Sequence, residues 1–185
     1  GIRLLNQDKC ETSFSFIISQ NNNIPRIKSI IEKLCVLFGK KKTFLGQEYY
    51  SFPTNEQLAK ASLDQLKGAG LGYRAEYVKR FAQSLCEGLN LDDLNKLPTS
   101  ILKKTLIGMH GIGPKVADCI TLFGYKRSDS FPVDTWIEKV YREDLNGDLK
   151  NRDKISESLV NRFKDYSGYY QQYLFYYKRS IENKN

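Results

Sequence analysis

A chain of 185 residues with 41% hydrophobic and 27% charged side chains has the size and composition of one folded domain or two small lobes with a core. It contains no apolar run long enough to cross a membrane, which argues against a transmembrane protein. The 29 lysines and arginines outnumber the 21 acidic residues, so the net charge is +8. This balance favours a polyanionic partner such as nucleic acid over a basic chain with no such partner.

The cysteines give no indication of a metal site. Cys10, Cys35, Cys86 and Cys119 are widely spaced without a C-x-x-C pair, and His110 is the one histidine. This arrangement does not favour zinc or an iron–sulfur cluster. Each cysteine lies in an apolar helical context, so we expect four buried, reduced thiols and an intracellular location.

Apolar residues recur at three- and four-residue steps through most of the chain, which predicts about ten helices. In chain order these are residues 12–20, 24–38, 55–61, 63–67, 74–85, 98–106, 115–123, 135–143, 155–163 and 168–181. No segment alternates convincingly with a period of two, so no strand is predicted. The expected fold class is therefore all-α, and the short connections are those of a compact domain.

Three asparagines separate the first two predicted helices. Asn21, Asn22 and Asn23 follow Gln20, and Arg26 lies on the next helical turn. Asparagine favours turns and helix caps, which is the simplest interpretation. Short amides at this place could also fill the gap that an extruded base leaves in a duplex and bond the base left behind.

A second loop candidate is rich in glycine. Three glycines between Gly68 and Gly72 predict a tight loop that presents Tyr73 and Arg74. A tyrosine there could wedge into a base stack, and an arginine could bond a base edge. The alternative is a helix end and a helix start with a surface tyrosine.

Gly111, Ile112 and Gly113 lie between the predicted helices 98–106 and 115–123. Glycines two apart permit a tight turn whose backbone N–H groups, with the N-terminus of the following helix, offer a seat for a phosphate. The pattern predicts a helix–hairpin–helix motif over about residues 98–123 that lies against a DNA backbone. A simple αα-hairpin is the alternative.

Two charged residues follow the turn. Lys115 lies in the first turn of the next helix, where the helix dipole disfavours a cation. A neutral amine could attack C1′ of a sugar and form a Schiff base, whereas a phosphate-binding lysine is an equally good interpretation. Asp134 occupies the N-cap position of a helix, and capping is the commonest role for such an aspartate. Its carboxylate could also stabilise positive charge on a sugar as the glycosidic bond breaks.

The last predicted helix is dense in aromatic residues between Tyr166 and Tyr177. Such density usually indicates a helix packed into the core. Some of the rings could instead line a base-sized pocket, since bases stack well on aromatic faces.

Together these segments resemble the helix–hairpin–helix superfamily of DNA repair glycosylases, and within it the eukaryotic-type 8-oxoguanine DNA glycosylases. The stretches that carry the resemblance are Phe14–Ile17, Asn21–Ile24, Gly70–Ala75, Gly113–Cys119 and Pro132–Asp134. With the aromatic tail they cover nearly the whole chain. The resemblance implies a two-lobed helical fold over residues 1–185, with the active-site cleft between the lobes and no iron–sulfur cluster.

The resemblance also implies an active site. Lys115 would be the Schiff-base lysine that expels the damaged base and then drives strand cleavage by β-elimination, and Asp134 would be the catalytic aspartate. Cys119 and Phe175 would sandwich the flipped purine. Gln171 would read its Watson–Crick face.

For the DNA, the resemblance implies that Asn21 fills the hole in the duplex and Tyr73 is the wedge. Arg26 and Arg74 would hold the orphaned cytosine. The glycines of Gly111–Gly113 would contact the DNA backbone, and no residue is expected to bind a metal.

The sequence departs from the family at three points. The family's N-terminal β-rich domain supplies a backbone carbonyl that accepts a hydrogen bond from N7 of 8-oxoguanine, and these residues contain no counterpart to it. Trp136 stands where a phosphate-contacting histidine is usual, and His110 stands where a proline is usual. We therefore expect catalysis to be kept and selectivity to depend on other groups.

These observations predict a bifunctional DNA glycosylase and AP lyase that flips 8-oxoguanine, opposite cytosine, out of duplex DNA and excises it in base excision repair. A monomer is expected, without a membrane partner or a required cofactor, and a monovalent or divalent cation at the hairpin is compatible with the motif. The alternatives are a glycosylase for another damaged base and a non-catalytic helix–hairpin–helix module that binds DNA.

Overall fold

The structure, a computed structural model, describes residues 1–182, and its architecture confirms the all-α fold class. The helices are α1 (Lys9–Ser19), α2 (Ile24–Phe38), α3 (Asn55–Lys60), α4 (Leu63–Gly68), α5 (Arg74–Cys86), α6 (Leu91–Leu94), α7 (Thr99–Ile107), α8 (Pro114–Tyr125), α9 (Thr135–Lys139), α10 (Arg152–Phe163) and α11 (Ser167–Glu182). A π-helical turn, Val140–Asp144, continues α9, and a 3₁₀ turn, Lys164–Tyr166, precedes α11. No helix within residues 1–182 is long and apolar enough to cross a membrane.

Eight of the ten predicted helix starts agree with the structure within one residue, because the caps are local, whereas α1 and α10 begin three residues earlier than predicted and α6 was not predicted. The hydroxyl of Thr54 accepts from the backbone N–H of Gln57 at 3.3 Å, and the Gln57 side chain accepts from the Thr54 N–H at 2.7 Å. Ser62 and Gln65 repeat this capping box at the start of α4. Each box satisfies two backbone donors that a helix start leaves unpaired.

The prediction of no strands is wrong for one segment. Strands β1 (Lys41–Phe44) and β2 (Gln47–Tyr50) form an antiparallel β-hairpin. Leu45 and Gly46 connect them with φ of 48° and 75°, which is the two-residue turn that suits a twisted hairpin. Neither face of this hairpin is buried, so its sequence carries no alternation of apolar and polar residues.

The chain divides into two compact units. Unit 1 contains Gly1–Lys9, Leu97–Ile107 and the chain from Gly113 onward, and unit 2 contains Cys10–Lys96 and Gly108–Ile112. The helical hairpin, α7 and α8, therefore belongs to unit 1, whereas the turn that joins its helices is part of unit 2.

The core of unit 1 anchors the segment that leads into α9. Phe131 and Val133 are buried in this extended segment and pack with residues of α9, α10 and the π-helical turn, namely Ile137, Tyr141, Ile155 and Leu159. Burying such a side chain contributes about 1.5–3 kcal/mol, so the segment is held on both sides of Pro132. Asp134, the next residue after Val133, is fixed by this packing.

The core of unit 2 fixes the end of α1. Phe14, Ile17 and Ile18 are fully buried on one face of α1. The ring of Phe14 meets that of Phe81 on α5 edge to face, with centroids 5.1 Å apart. The turn that follows α1 is therefore built on a rigid helix.

Two expectations about burial need correction. Cys35 and Cys119 are buried, but Cys86 is exposed and Cys10 is half-buried, because Cys86 ends α5 on its solvent side. In α11, Gln171 is buried and Phe175 packs on the core of unit 1, whereas all five tyrosines are exposed. The exposed tyrosines of this region are Tyr166, Tyr169, Tyr170, Tyr173, Tyr176 and Tyr177. The aromatic density of the tail is thus mostly a surface feature.

Candidate active site

Lys115 lies at the start of α8. Gly113 is the N-cap of this helix, Pro114 is its first residue, and Lys115 follows as a half-buried side chain. Its amine hydrogen-bonds to the thiol of Cys119, one helical turn further on. The proline suits the first turn because it has no N–H to leave unpaired, and it fixes the backbone immediately before the lysine.

Cys119 is the common neighbour of the two predicted catalytic residues. Burial raises the pKa of its thiol to about 12, the Lys115 amine acts to lower it, and the carboxylates of Asp118 and Asp134 act to raise it. The thiol is therefore protonated at neutral pH and does not compete with the amine as a nucleophile. Lys115 and Asp134 are both close enough to this one sulfur to change its titration.

Asp134 is the N-cap of α9, as the sequence predicts. Its Oδ1 accepts a hydrogen bond from the backbone N–H of Ile137 at 2.9 Å, and its backbone is extended. The cap fixes the orientation of the carboxylate and uses one of its two oxygens. Capping and chemistry are compatible here, because Oδ2 can still face a substrate.

Gln171 and Phe175 lie on α11 beside the segment that ends at Asp134. The Gln171 amide donates to the carbonyl oxygen of Pro132 at 3.2 Å and accepts from the Gln172 side chain at 2.7 Å. Gln171 is 4% exposed, so these bonds hold its amide in one orientation. One N–H and one oxygen lone pair of the amide are left for a ligand.

An ion pair that was not predicted from the sequence joins the two helices of the helical hairpin. Asp118 on α8 pairs with Lys103 on α7, and the Ser156 hydroxyl shares its one proton between Asp118 at 3.2 Å and the Phe131 carbonyl at 2.8 Å. Burial raises the pKa of Asp118, against the lowering effect of Lys103 and Ser156. This network ties both helices of the helical hairpin to α10 and to the segment before Asp134. The signal in the sequence is a lysine and an aspartate that each fall on an apolar helix face.

We expect Lys103→Ala to lower the free energy of unfolding by about 3 kcal/mol, because it leaves the buried Asp118 without its cation. Since the folded-state pKa of Asp118 is raised, its protonated form is the better tolerated one, so its contribution to stability is full at low pH and falls as pH rises. The difference in unfolding free energy between the wild type and Lys103→Ala should therefore become smaller as pH falls. Urea unfolding at different pH values measures this difference, and Lys104→Ala, at the exposed neighbouring residue, is the control. Equal losses of unfolding free energy in Lys103→Ala and Lys104→Ala would contradict the stabilising role of the ion pair.

The turn of the helical hairpin is tightly constrained at its first glycine. Gly111 has a φ of 84°, and a Cβ at this position would overlap the ring of Tyr77. Its carbonyl accepts from the Gln20 amide at 2.9 Å. Ile112 is 4% exposed and anchors the turn. Gly113 differs, because its φ is −88° and a Cβ there would meet open space.

The two glycines should therefore respond differently to alanine. Gly111→Ala is expected to cost about 2 kcal/mol or more, from the positive φ and the overlap with Tyr77. Gly113→Ala should cost less than about 1 kcal/mol, the difference between glycine and alanine at an N-cap. Gly113→Ala is also expected to weaken duplex binding, because its methyl group would lie where a phosphate approaches the N–H groups. Thermal unfolding measures the stability of both variants, and a fluorescence-anisotropy titration measures their duplex affinity. Unchanged DNA affinity in Gly113→Ala would count against a phosphate-binding site at this turn.

The asparagine turn and the glycine loop meet in unit 2. Asn21 is exposed with a φ of 45°, and its side-chain amide donates to the Tyr73 hydroxyl at 3.1 Å. Asn23 caps α2 by accepting from the backbone N–H of Arg26 at 2.9 Å. The triplet is thus a turn and a cap, and it also presents one asparagine beside the half-exposed Tyr73.

The two arginines of the predicted DNA surface differ in the structure. Arg26 is exposed on α2. Arg74 is 4% exposed, and its guanidinium donates to the carbonyls of Gln20 and Asn21. The expectation that Arg74 is presented to a base therefore does not describe this structure, because main-chain carbonyls occupy the guanidinium.

A metal site was not predicted. Among residues 1–182, no group of three or more histidine, cysteine, aspartate or glutamate side chains is arranged to hold a metal ion. The chemistry available on α8 and α9 is that of an amine, a carboxylate and a protonated thiol.

Comparison with known proteins defines the class. Residues 14–165 match the family described as HhH-GPD superfamily base excision DNA repair protein. This match covers most of the chain and includes both the helical hairpin and Asp134. The chain belongs to the HhH-GPD superfamily of base excision DNA repair proteins.

Particular relatives are similar over most of this chain. A probable N-glycosylase/DNA lyase of Methanothermobacter thermautotrophicus is 30% identical over 97% of this chain and 64% of its own length. An N-glycosylase/DNA lyase of Saccharomyces cerevisiae is 34% identical over 78% of this chain and 42% of its own length. The 8-oxoguanine glycosylase/lyase of Clostridium acetobutylicum, solved with double-stranded DNA containing cytosine opposite 8-oxoguanine, is 38% identical with a TM-score of 0.94. The alignment with that structure covers 98% of this chain and 63% of the other, so the chain spans less than two thirds of these proteins.

Proposed function

We propose that this chain excises 8-oxoguanine, paired with cytosine, from duplex DNA and then cleaves the strand at the abasic site. The observation that carries the proposal is that Lys115 and Asp134 both act on the buried Cys119 thiol. An amine and a carboxylate that both lie close to one buried thiol suit a reaction in which an amine replaces a base on a sugar. Membership of a base excision repair superfamily supports the same chemistry.

In the proposed complex, the DNA backbone contacts the N–H groups around Gly111 and Gly113 and the basic surface of a chain with net charge +8. Extruding the damaged nucleotide costs a few kcal/mol, which backbone contacts and stacking offset. Asn21 enters the gap and Tyr73 wedges the stack beside it. The exposed Arg26 contacts the orphaned cytosine.

The flipped purine would stack between Cys119 and Phe175. The protonated thiol presents a polarizable, uncharged surface to the ring. The remaining N–H and lone pair of the Gln171 amide would bond the Watson–Crick edge of the purine. A fixed amide favours one pattern of donors and acceptors, because an unmatched buried polar group is costly.

The chemical steps follow from the two catalytic side chains. As the bond between C1′ and the base breaks, its electron pair leaves with the base, which takes up a proton, and the Asp134 carboxylate stabilises the positive charge on the sugar. The Lys115 nitrogen loses a proton, forms a bond to C1′ with the electron pair that this frees, and loses a second proton as the ring opens to an imine. Removal of a C2′ proton then expels the 3′ phosphate, and water hydrolyses the imine to free the lysine.

This scheme uses the chain's own groups and needs no cofactor, and a monovalent or divalent cation between the hairpin turn and a phosphate is compatible with it. We propose a monomer acting on intracellular DNA. Each protein molecule would engage one lesion.

Single-turnover cleavage of duplexes that carry 8-oxoguanine, an alkylated adenine or another damaged base, each opposite all four bases, tests the substrate. We expect the fastest release for 8-oxoguanine opposite cytosine, with strand cleavage in the same reaction. Faster release of another lesion would replace the proposed substrate with that base. Tight duplex binding without base release would favour a non-catalytic DNA-binding module.

A further inference from the structure

Gln20 joins the turn of the helical hairpin to the asparagine turn within unit 2. Its side-chain amide donates one hydrogen bond to the Gly111 carbonyl at 2.9 Å and another to the Ile17 carbonyl at 3.0 Å. The first bond connects residues 91 positions apart in the chain, and the second ties the amide to the end of α1. Both amide protons are therefore used to hold the hairpin turn at a fixed distance from α1.

The main chain of Gln20 is held from the other side. Its carbonyl accepts from Nε of Arg74 at 2.6 Å and also from one terminal nitrogen of the same guanidinium, which donates in addition to the Asn21 carbonyl at 2.8 Å. Because Arg74 is 4% exposed, these are charge-assisted bonds in a largely water-free place. They hold Asn21 in its left-handed conformation, which a non-glycine residue seldom adopts unaided.

Aromatic contacts make a second connection between the same two places. The Tyr73 hydroxyl accepts from Asn21, and the Tyr73 ring meets Tyr77 edge to face at 5.7 Å. Tyr77 in turn meets the His110 ring at 5.1 Å and lies against Gly111. The hairpin turn and the two residues predicted to enter the duplex are thus joined by two independent routes, one polar and one aromatic.

We propose that Gln20 is a positioning residue that fixes the distance between the phosphate held at the hairpin turn and Asn21. This proposal rests on the proposed function. Extruding a stacked base requires the backbone to be gripped while the gap is filled, so both contacts must be in register. A misplacement of about 1 Å in such an arrangement can cost up to about a hundredfold in rate.

The informative change is Gln20→Met, which keeps the length of the side chain and removes both amide donors. We expect single-turnover excision of 8-oxoguanine opposite cytosine to fall at least about tenfold. Strand cleavage at a preformed abasic site in the same duplex should stay within about twofold, because no stacked base has to be displaced there.

The matched control is Gln83→Met, a solvent-exposed glutamine on α5 in the same unit, which should leave both rates unchanged. Equal losses on the two substrates would assign Gln20 a structural role only and overturn the proposal, as would wild-type rates on both. A wild type that cleaves neither substrate would instead overturn the proposed function, and the positioning role with it.

Discussion

Lys115→Gln is expected to abolish both strand cleavage and the covalent complex that borohydride traps during the reaction. Glutamine keeps most of the side-chain length but has no amine to bond C1′. Removing a nucleophile on which every later step depends should lower the single-turnover rate by roughly a thousandfold or more. Duplex affinity should fall much less, since one positive charge is only a small part of the electrostatic binding free energy of a chain with net charge +8.

The control for the lost charge is Lys154→Gln, an exposed lysine on α10 in the same unit. It changes the net charge by the same amount and should leave the cleavage rate and the trapped complex intact. If Lys115→Gln still formed the trapped complex, the nucleophile would be another amine. If both variants lost activity equally, charge rather than the amine at residue 115 would explain the effect.

Asp134 allows capping to be separated from catalysis. Asp134→Asn keeps an N-cap of equal quality, so the melting temperature should stay near that of the wild type. Without the carboxylate, the base-release rate should fall by about a hundredfold to a thousandfold, the usual cost of losing one preorganised electrostatic contact in a reaction. Excision kinetics and thermal unfolding of the same preparation give the two effects.

Two further variants complete that series. Asp134→Ala should lose the rate and also about 1 kcal/mol of stability, because the Ile137 N–H loses its acceptor. Asp134→Ser should recover the stability through its hydroxyl cap but not the rate. Loss of rate in proportion to loss of stability across the three variants would mean that Asp134 is only a cap.

The helices could be predicted from the sequence because their caps and apolar stripes are local. Thr54 and Asp134 are residue types typical of helix N-caps, and both cap the helices that follow them, as predicted for Asp134. The β-hairpin was missed because it buries neither face, so burial imposes no pattern on it. Its remaining signal is the turn at Gly46 between two short segments that contain aromatic residues.

Contacts between distant parts of the chain were not predictable. The carbonyls that occupy Arg74 belong to a loop more than fifty residues earlier, and nothing in the local sequence of Arg74 indicates them. The same holds for the Gln20 amide and for the ion pair of Lys103 with Asp118. Residue type and order indicate the candidate site residues, whereas burial and long-range partners decide how each is oriented.

The structure adds the pKa of the thiol to the interpretation of Cys119. From the sequence Cys119 is expected to be buried, and the resemblance implies that it lies against the flipped purine. In the structure burial raises the pKa of its thiol to about 12, so the thiol is neutral, and Lys115 and Asp134 both lie close enough to it to affect its titration. The roles of these three residues remain predictions that kinetics must test.

The central claim, that Lys115 is the nucleophile of a base-excising lyase, is tested most directly by mapping the trapped complex. The wild-type protein is incubated with a duplex containing 8-oxoguanine opposite cytosine, reduced with borohydride, digested and analysed by tandem mass spectrometry. We predict one modified peptide, with the reduced sugar on the side-chain nitrogen of Lys115. A sugar adduct on another lysine or on the N-terminal amine, or no adduct during active base release, would contradict it.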